Sequence, residues 1–387
     1  MDEARSGLEG FCQAAPAENN QEEEMNPSYY QEFFTGIMAA IAIIVGGIRI
    51  SSPDNRHQLE GSSIVLPLLL CIALTFWIGF RPVSSAFGDM VNYALEYSKM
   101  DARHISMDWS SEWIWQWLMN GCKAAGFSIH TFFTIVAAGY VLSAFWAVKR
   151  LMPSDPMLGM LFVLTSLMFF TFATNGLRNG LACHLVLLAF SFLMDDKWIP
   201  GALFALLAVG IHRSAMLPII AILVGIFLLK DVRYAIAFWV ASIFLSLVFG
   251  DAATNFFASL GFDDRMTQYT QTIKDFSEFS KEGFRWDFLL YSTMPVVMAW
   301  YVCTRKGITD NWYNALCVTY CLCNAFWIMV IRSAFSNRFA YLSWFMCPII
   351  IAYPLVNLPV REDQDRFAGW VLIAYAAFSV FMWFVFW

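Results

Sequence analysis

An all-α, polytopic integral membrane protein is the expectation from three features of the sequence. Of 387 residues, 59% are hydrophobic and only 14% are charged, against roughly 45–50% and 25% in soluble domains. Apolar runs near the length of about 17–25 residues that crosses a hydrocarbon core recur along the chain. Phenylalanine (37) outnumbers tryptophan (16) and tyrosine (14) together. It suits lipid-facing surfaces, while the other two anchor wet-dry boundaries. The formal net charge of -6 argues against nucleic-acid binding, which wants a basic patch. The nine cysteines show no C-x-x-C spacing, so neither a zinc site nor a redox dithiol is signalled, and they read as small buried hydrophobes.

Residues 1–28 are polar and acidic, with Glu22-Glu23-Glu24 and no apolar core. They read as a disordered tail rather than a signal peptide, with Met25 as an alternative start. Residues 29–387 read as a single transmembrane domain. Spans are expected at about 32–50 and 62–80, followed by a long non-spanning segment at 81–126. There Trp109, Trp113 and Trp117 recur at four-residue spacing with Trp115 between them, the pattern of a helix lying at the membrane boundary. Further spans are expected at about 127–148, 157–174, 177–194, 198–211, 214–230 and 233–250. A second long polar segment occupies 251–286, and the last spans fall at about 287–304, 311–331, 338–356 and 368–387. The total is about 12 transmembrane helices with two longer outward-facing loop segments. Basic residues mark alternate short loops: Arg49 and Arg56, Lys149-Arg150, Lys197, Lys230 and Arg233, Arg305-Lys306, Arg361 and Arg366. By the positive-inside rule these loops are cytoplasmic and both termini face outward.

The stretch 175–214 organises the rest. Asn175-Gly176-Leu177-Arg178-Asn179-Gly180 opens one apolar span, Asp195-Asp196-Lys197 makes a turn, and a second span ends at His212-Arg213-Ser214. Such a helical hairpin returns both free ends to one membrane face. A cation at the centre of a spanning helix costs about 2.5–3.5 kcal/mol on insertion scales, so one is rarely there without a partner or a ligand. The parity of the spans gathers Arg81, Asp89, Arg178, His212, Arg213, Arg285, Arg332 and Arg338 on that face. No equal number of acids accompanies the hairpin and late-span arginines in the sequence, so simple ion pairing is not expected to satisfy them all. Guanidinium forks suit phosphate and carboxylate oxygens, and arginines shielded from bulk water would hold a pyrophosphate-bearing lipid and offset charge developing on it as it departs. Plainer readings stand beside this one. Arg178 is a snorkelling cation, Arg213 a topology charge, His212 a structural imidazole and Asp89 a helix cap. Tyr93 and Tyr97 are boundary aromatics, and His130 and His184 are packing residues.

The order of these features resembles the EpsG-like branch of the Wzy-type O-antigen and exopolysaccharide polymerases. The resemblance rests on Gly88-Asp89 followed by Tyr93 and Tyr97, then Leu177-Arg178-Asn179-Gly180-Leu181-Ala182, then His212-Arg213-Ser214-Ala215, and last Arg332, Arg338 and Tyr341. It covers roughly residues 28–356. The position after Arg178 is often glutamine in the family; here it is the shorter Asn179.

The resemblance implies a membrane glycosyltransferase that moves a growing glycan from its undecaprenyl-pyrophosphate carrier onto the next lipid-linked repeat unit. It implies the periplasmic or outer face of the bacterial inner membrane, no nucleotide sugar and no cofactor. Substrate lipid and a chain-length regulator protein are the candidate partners. In that frame His212 is the first choice of base, since histidine titrates nearest working pH, and Asp89 is the second. Arg178, Arg332 and Arg338, with Arg213, clamp the pyrophosphate. Asn179 is placed as a substrate contact, Tyr93 and Tyr341 stack on sugar, and Arg81 and Arg285 steer the anion. No metal is demanded, because acids at ligand spacing are absent. An O-antigen ligase, a flippase or transporter of the same lipid-linked sugar, and a membrane O-acyltransferase are the competing readings.

Overall fold

Each long apolar run becomes a helix because lipid offers backbone N–H and C=O groups no partner, and the helix satisfies them internally. The computed structural model describes residues 25–51, 64–101, 112–259, 283–333 and 336–386, and within these it is all-α with no strand. In chain order the helices are α1 (Tyr30–Ser51), α2 (Val65–Gly79), α3 (Met90–Lys99), α4 (Trp113–Ala124), α5 (Ile129–Leu151), α6 (Pro156–Leu164), α7 (Phe169–Thr174) and α8 (Leu177–Leu193). They continue as α9 (Trp198–Ile211), α10 (Met216–Leu223), α11 (Val232–Ser259), α12 (Trp286–Ala299), α13 (Asn311–Met329), α14 (Ser336–Trp344), α15 (Cys347–Asn357) and α16 (Gln364–Phe386). Most of the acidic tail, residues 1–24, and residues 260–282 of the second polar segment lie outside the described residues, as does Trp109. The first residues of that segment, 251–259, continue α11 instead of forming a loop.

Five described helices or helix pairs are long and apolar enough to cross a membrane: Pro27–Ser51, Ile129–Leu151, Val232–Gly250, Ser336–Asn357 and Gln364–Val385. This is fewer than the twelve expected, and the differences have physical causes. Val65–Gly79, Leu177–Leu193, Trp198–Ile211 and Arg213–Leu228 are apolar but shorter. The expected span at 157–174 is broken between α6 and α7. There the Thr165 hydroxyl donates to the Leu161 carbonyl (2.6 Å) and the Ser166 hydroxyl to Val163 (2.7 Å). The Leu167 amide donates to the Tyr291 hydroxyl (3.3 Å). Side chains take over the backbone partners, so the break lies buried in protein rather than in lipid.

The α13 helix holds Asn311, Asn314 and Asn324, too polar for a lipid-facing span, and it is buried along most of its length. The Asn324 amide donates to Ser343 (2.9 Å) and Ser292 (3.2 Å), and its carbonyl accepts from the Trp239 indole (2.7 Å). One asparagine thus ties α11, α12, α13 and α14 together away from lipid, where each unmet polar group would cost several kcal/mol.

The expected hairpin is formed by α8 and α9, which pack along each other while α8 also packs on α5. At its turn end Arg150 pairs with Asp195. Arg49, at the end of α1, pairs with Asp155 and Asp365. Arg178 sits at the other end of α8, about 25 Å away at 1.5 Å of rise per residue. Arg150, Lys197 and the nearby Arg49 therefore lie at the opposite end of α8 from the hairpin's free ends.

Candidate functional site

The helix break at Asn175-Gly176, between α7 and α8, positions the site. Gly88 sits at φ +57°, and a Cβ there would fall 2.5 Å from Asn175 Oδ1. That same oxygen accepts from the Asp89 amide at 3.0 Å. Only glycine lets the chain before α3 approach this closely, and the contact fixes Asp89 at the start of α3. Across the gap, Arg338 of α14 donates from Nη2 to Asp89 Oδ2 at 2.8 Å.

The hairpin supplies the other side. Arg178 Nε donates to the Tyr93 hydroxyl at 3.1 Å, and its Nη1 donates to Glu112. The other Glu112 oxygen meets His212 Nδ1. Glu112 directly precedes α4, which packs on α9. Gly210 permits that packing, because a Cβ there would meet Ile114 at 2.6 Å. His212 is in extended conformation just past the last residue of α9.

Between these groups lies an open hollow lined by Asp89, Tyr93, Arg178, Asn179, His212 and Arg338, together with Phe172, Gly176, Ser214, Phe339 and Leu342. The N-terminus of α8 opens into it through Gly176, Arg178 and Asn179, where unmet N–H groups and the helix dipole favour an anion. Two guanidinium groups, an imidazole and a helix start thus face one space that is partly shielded from water. Such a space can bind a phosphorylated group and accept a proton beside it.

The sequence model of the EpsG family matches residues 64–387. The chain belongs to the EpsG family. Membership points to a polysaccharide-polymerase type of membrane function. No curated protein and no solved structure matches the chain significantly.

For this EpsG-family chain the placement of each expected site residue is now concrete. Asp89, Tyr93, Arg178, Asn179, His212 and Arg338 come together around the hollow, from four separate stretches of sequence. Tyr93 is mostly buried, its ring edge-on to Trp115 (5.3 Å) and its hydroxyl holding Arg178, so it orients the arginine rather than offering a face for sugar. The Asn179 amide donates to the Arg338 carbonyl (2.9 Å) and its oxygen accepts the Cys183 thiol (3.3 Å), which locks α14 against α8.

The other expected residues lie off the lining. Arg81 is 1% exposed. It donates to the carbonyls of Ile78 (2.5 Å) and Thr174 (3.0 Å) and lies 5.2 Å from the Phe133 ring centre. Burial pushes its guanidinium below the ordinary arginine range. It clamps the end of α2 to the end of α7 and has no open path along which to steer a substrate. Tyr341 is buried beneath the hollow, stacked on Phe172 at 3.6 Å and hydrogen-bonded to Tyr140 (2.7 Å), so no sugar reaches its ring. Arg285 is held by Asp287 (2.6 Å) and lies over Phe288 (3.6 Å). Arg332 reaches the Leu247 carbonyl at 3.5 Å beside Gly250. Arg213 sits in the short turn before α10.

Ion pairing reaches further than the sequence suggested, though not to every cation. Acids accompany some of them: Glu112 is shared by Arg178 and His212, Asp89 pairs with Arg338, and Asp287 with Arg285. Glu112 escaped the sequence reading because it is 66 residues from Arg178 and 100 from His212, in an aromatic stretch with no motif of its own. Its only local signal is a carboxylate just ahead of a helix.

The Gly88 geometry yields a test. Gly88→Ala forces a side chain into a positive-φ position and into the Asn175 amide, which is expected to destabilise the fold by about 1–3 kcal/mol and to displace Asp89. Thermal unfolding in detergent measures it, with Gly121→Ala as control because a Cβ at Gly121 meets nothing within 4 Å. Equal melting of the two variants would remove Gly88 from this role.

Proposed function

We propose that the chain is a membrane glycosyltransferase that polymerises undecaprenyl-pyrophosphate-linked oligosaccharide repeat units into a surface polysaccharide, an O-antigen or exopolysaccharide. It acts at the periplasmic or outer face of the bacterial inner membrane. The observation that carries this reading is the shared hollow: Arg178, Arg338, His212 and the N-terminus of α8 all line one space, at the end of α8 opposite Arg150 and Lys197.

The pyrophosphate of the donor lipid sits against the α8 N-terminus. Arg178 and Arg338 neutralise it there and stabilise the charge it gains as the sugar leaves. Asp89 holds Arg338 and yields part of that guanidinium to phosphate oxygens when substrate binds. His212 accepts the proton of the acceptor hydroxyl as its oxygen bonds to the anomeric carbon. The carbon–oxygen bond to pyrophosphate breaks, and its electron pair departs with the lipid pyrophosphate. Asp89, the other candidate base, is already committed to Arg338, which favours His212.

Purified protein supplied with lipid-linked repeat units tests the reading. A ladder of lengthening glycans is the expected product. Movement of the lipid-linked unit across a bilayer without new bonds would instead make the chain a flippase.

A further inference from the structure

We propose that Glu112 is the positioning residue of this site. One of its carboxylate oxygens fixes the His212 imidazole so that Nε2 is the proton-accepting nitrogen, and the other holds Arg178 at the pyrophosphate. The proposal rests on the polymerase reading above and adds a residue to it.

Three observations converge on Glu112. Both its oxygens are used, each on a different member of the site: Nη1 of Arg178 and Nδ1 of His212. All three side chains are largely buried, with 16% to 19% of each exposed, so water screens the contacts weakly. The chain also makes room for Glu112, since α4 packs closely on the end of α9 where Gly210 lacks a side chain.

A carboxylate accepting from Nδ1–H selects one imidazole tautomer, and the lone pair is then on Nε2. In the transfer step the acceptor O–H proton passes to Nε2 while the acceptor oxygen bonds to the anomeric carbon and the pyrophosphate leaves with its electron pair. Glu112 takes no proton; it stabilises the imidazolium that forms. The same carboxylate and the Tyr93 hydroxyl hold two edges of the Arg178 guanidinium, leaving its remaining N–H groups for phosphate oxygens.

The experiment compares wild type, Glu112→Gln and Glu112→Asp by steady-state kinetics on lipid-linked repeat units and by nitrogen NMR of ¹⁵N-histidine-labelled protein. Wild-type His212 is expected to show a protonated Nδ1 and an unprotonated Nε2 in the neutral ring. Glu112→Gln is expected to lose about 10²–10⁴-fold in kcat, with KM moving less than tenfold, and to mix the tautomers. Glu112→Asp is expected to recover part of the rate. A wild-type His212 protonated on Nε2 in its neutral form overturns the proposal whatever the variants do, including a variant that fails to fold. A Glu112→Gln protein with wild-type kcat overturns it too, as does a slow one whose His212 signals are unchanged. Wild-type protein that makes no ladder would instead sink the polymerase reading, while the His212 tautomer still reports on Glu112.

Discussion

Arg178→Ala is expected to lower polymer formation by about 10²–10³-fold, the usual loss when one preorganised donor to a developing anion is removed. Arg178 is the second residue of α8, at the edge of the hollow, and is held there by Tyr93 and Glu112. Alanine removes the donors and leaves Glu112 with His212 as a partner, so the carboxylate keeps its contact with the imidazole. The stability loss is expected to be about 1–3 kcal/mol, the scale for a buried polar group that loses a partner. Thermal unfolding separates that loss from the loss of activity. Arg178→Lys keeps the charge but not the planar fork, and is expected to recover little. Wild-type chain lengths from Arg178→Ala would exclude this arginine from the chemistry.

His212→Ala is expected to abolish long polymer, with the rate falling by about 10²–10⁴-fold, the range for removing a general base. The protein should still be made and folded, because Glu112 retains Arg178 and α9 ends before His212. It should also still bind the lipid-linked unit, because the arginines and the α8 N-terminus are untouched. Gel analysis of glycan length, with substrate binding measured on the same protein, distinguishes a lost base from a lost site. Normal chain lengths would remove His212 from the mechanism and leave Asp89 as the remaining candidate.

Much of this arrangement was legible in the sequence. The hairpin is two apolar runs joined by Asp195-Asp196-Lys197, and α8 and α9 fall on those runs. Asp89, Arg178, His212 and Arg338 stand out because charge is scarce among apolar residues, and they meet around one hollow. What stayed hidden depends on partners that leave no pattern. Arg81 looks like any other cation after a span, yet its partners are backbone carbonyls of Ile78 and Thr174, the second 93 residues away. The break after Leu164 lies in a run that reads as continuous span, because Thr165 and Ser166 act through local bonds to the backbone. Tyr341 reads as an aromatic near late arginines, but its stacking on Phe172 is a tertiary contact with no sequence period. Glu112 is the largest omission. Counting acids near each arginine along the chain cannot find a partner brought in by a separate helix.

Equilibrium binding of undecaprenyl-pyrophosphate-linked repeat units to wild-type protein and to the double variant Arg178→Ala/Arg338→Ala tests most directly whether these guanidinium groups grip a lipid diphosphate. Each charge-assisted contact is worth about 1.5–3 kcal/mol, so loss of both should weaken binding by roughly 10²–10⁴-fold. Inorganic pyrophosphate should compete with the lipid on wild type. Equal affinity of the two proteins for the lipid, with no competition by pyrophosphate, would contradict the account.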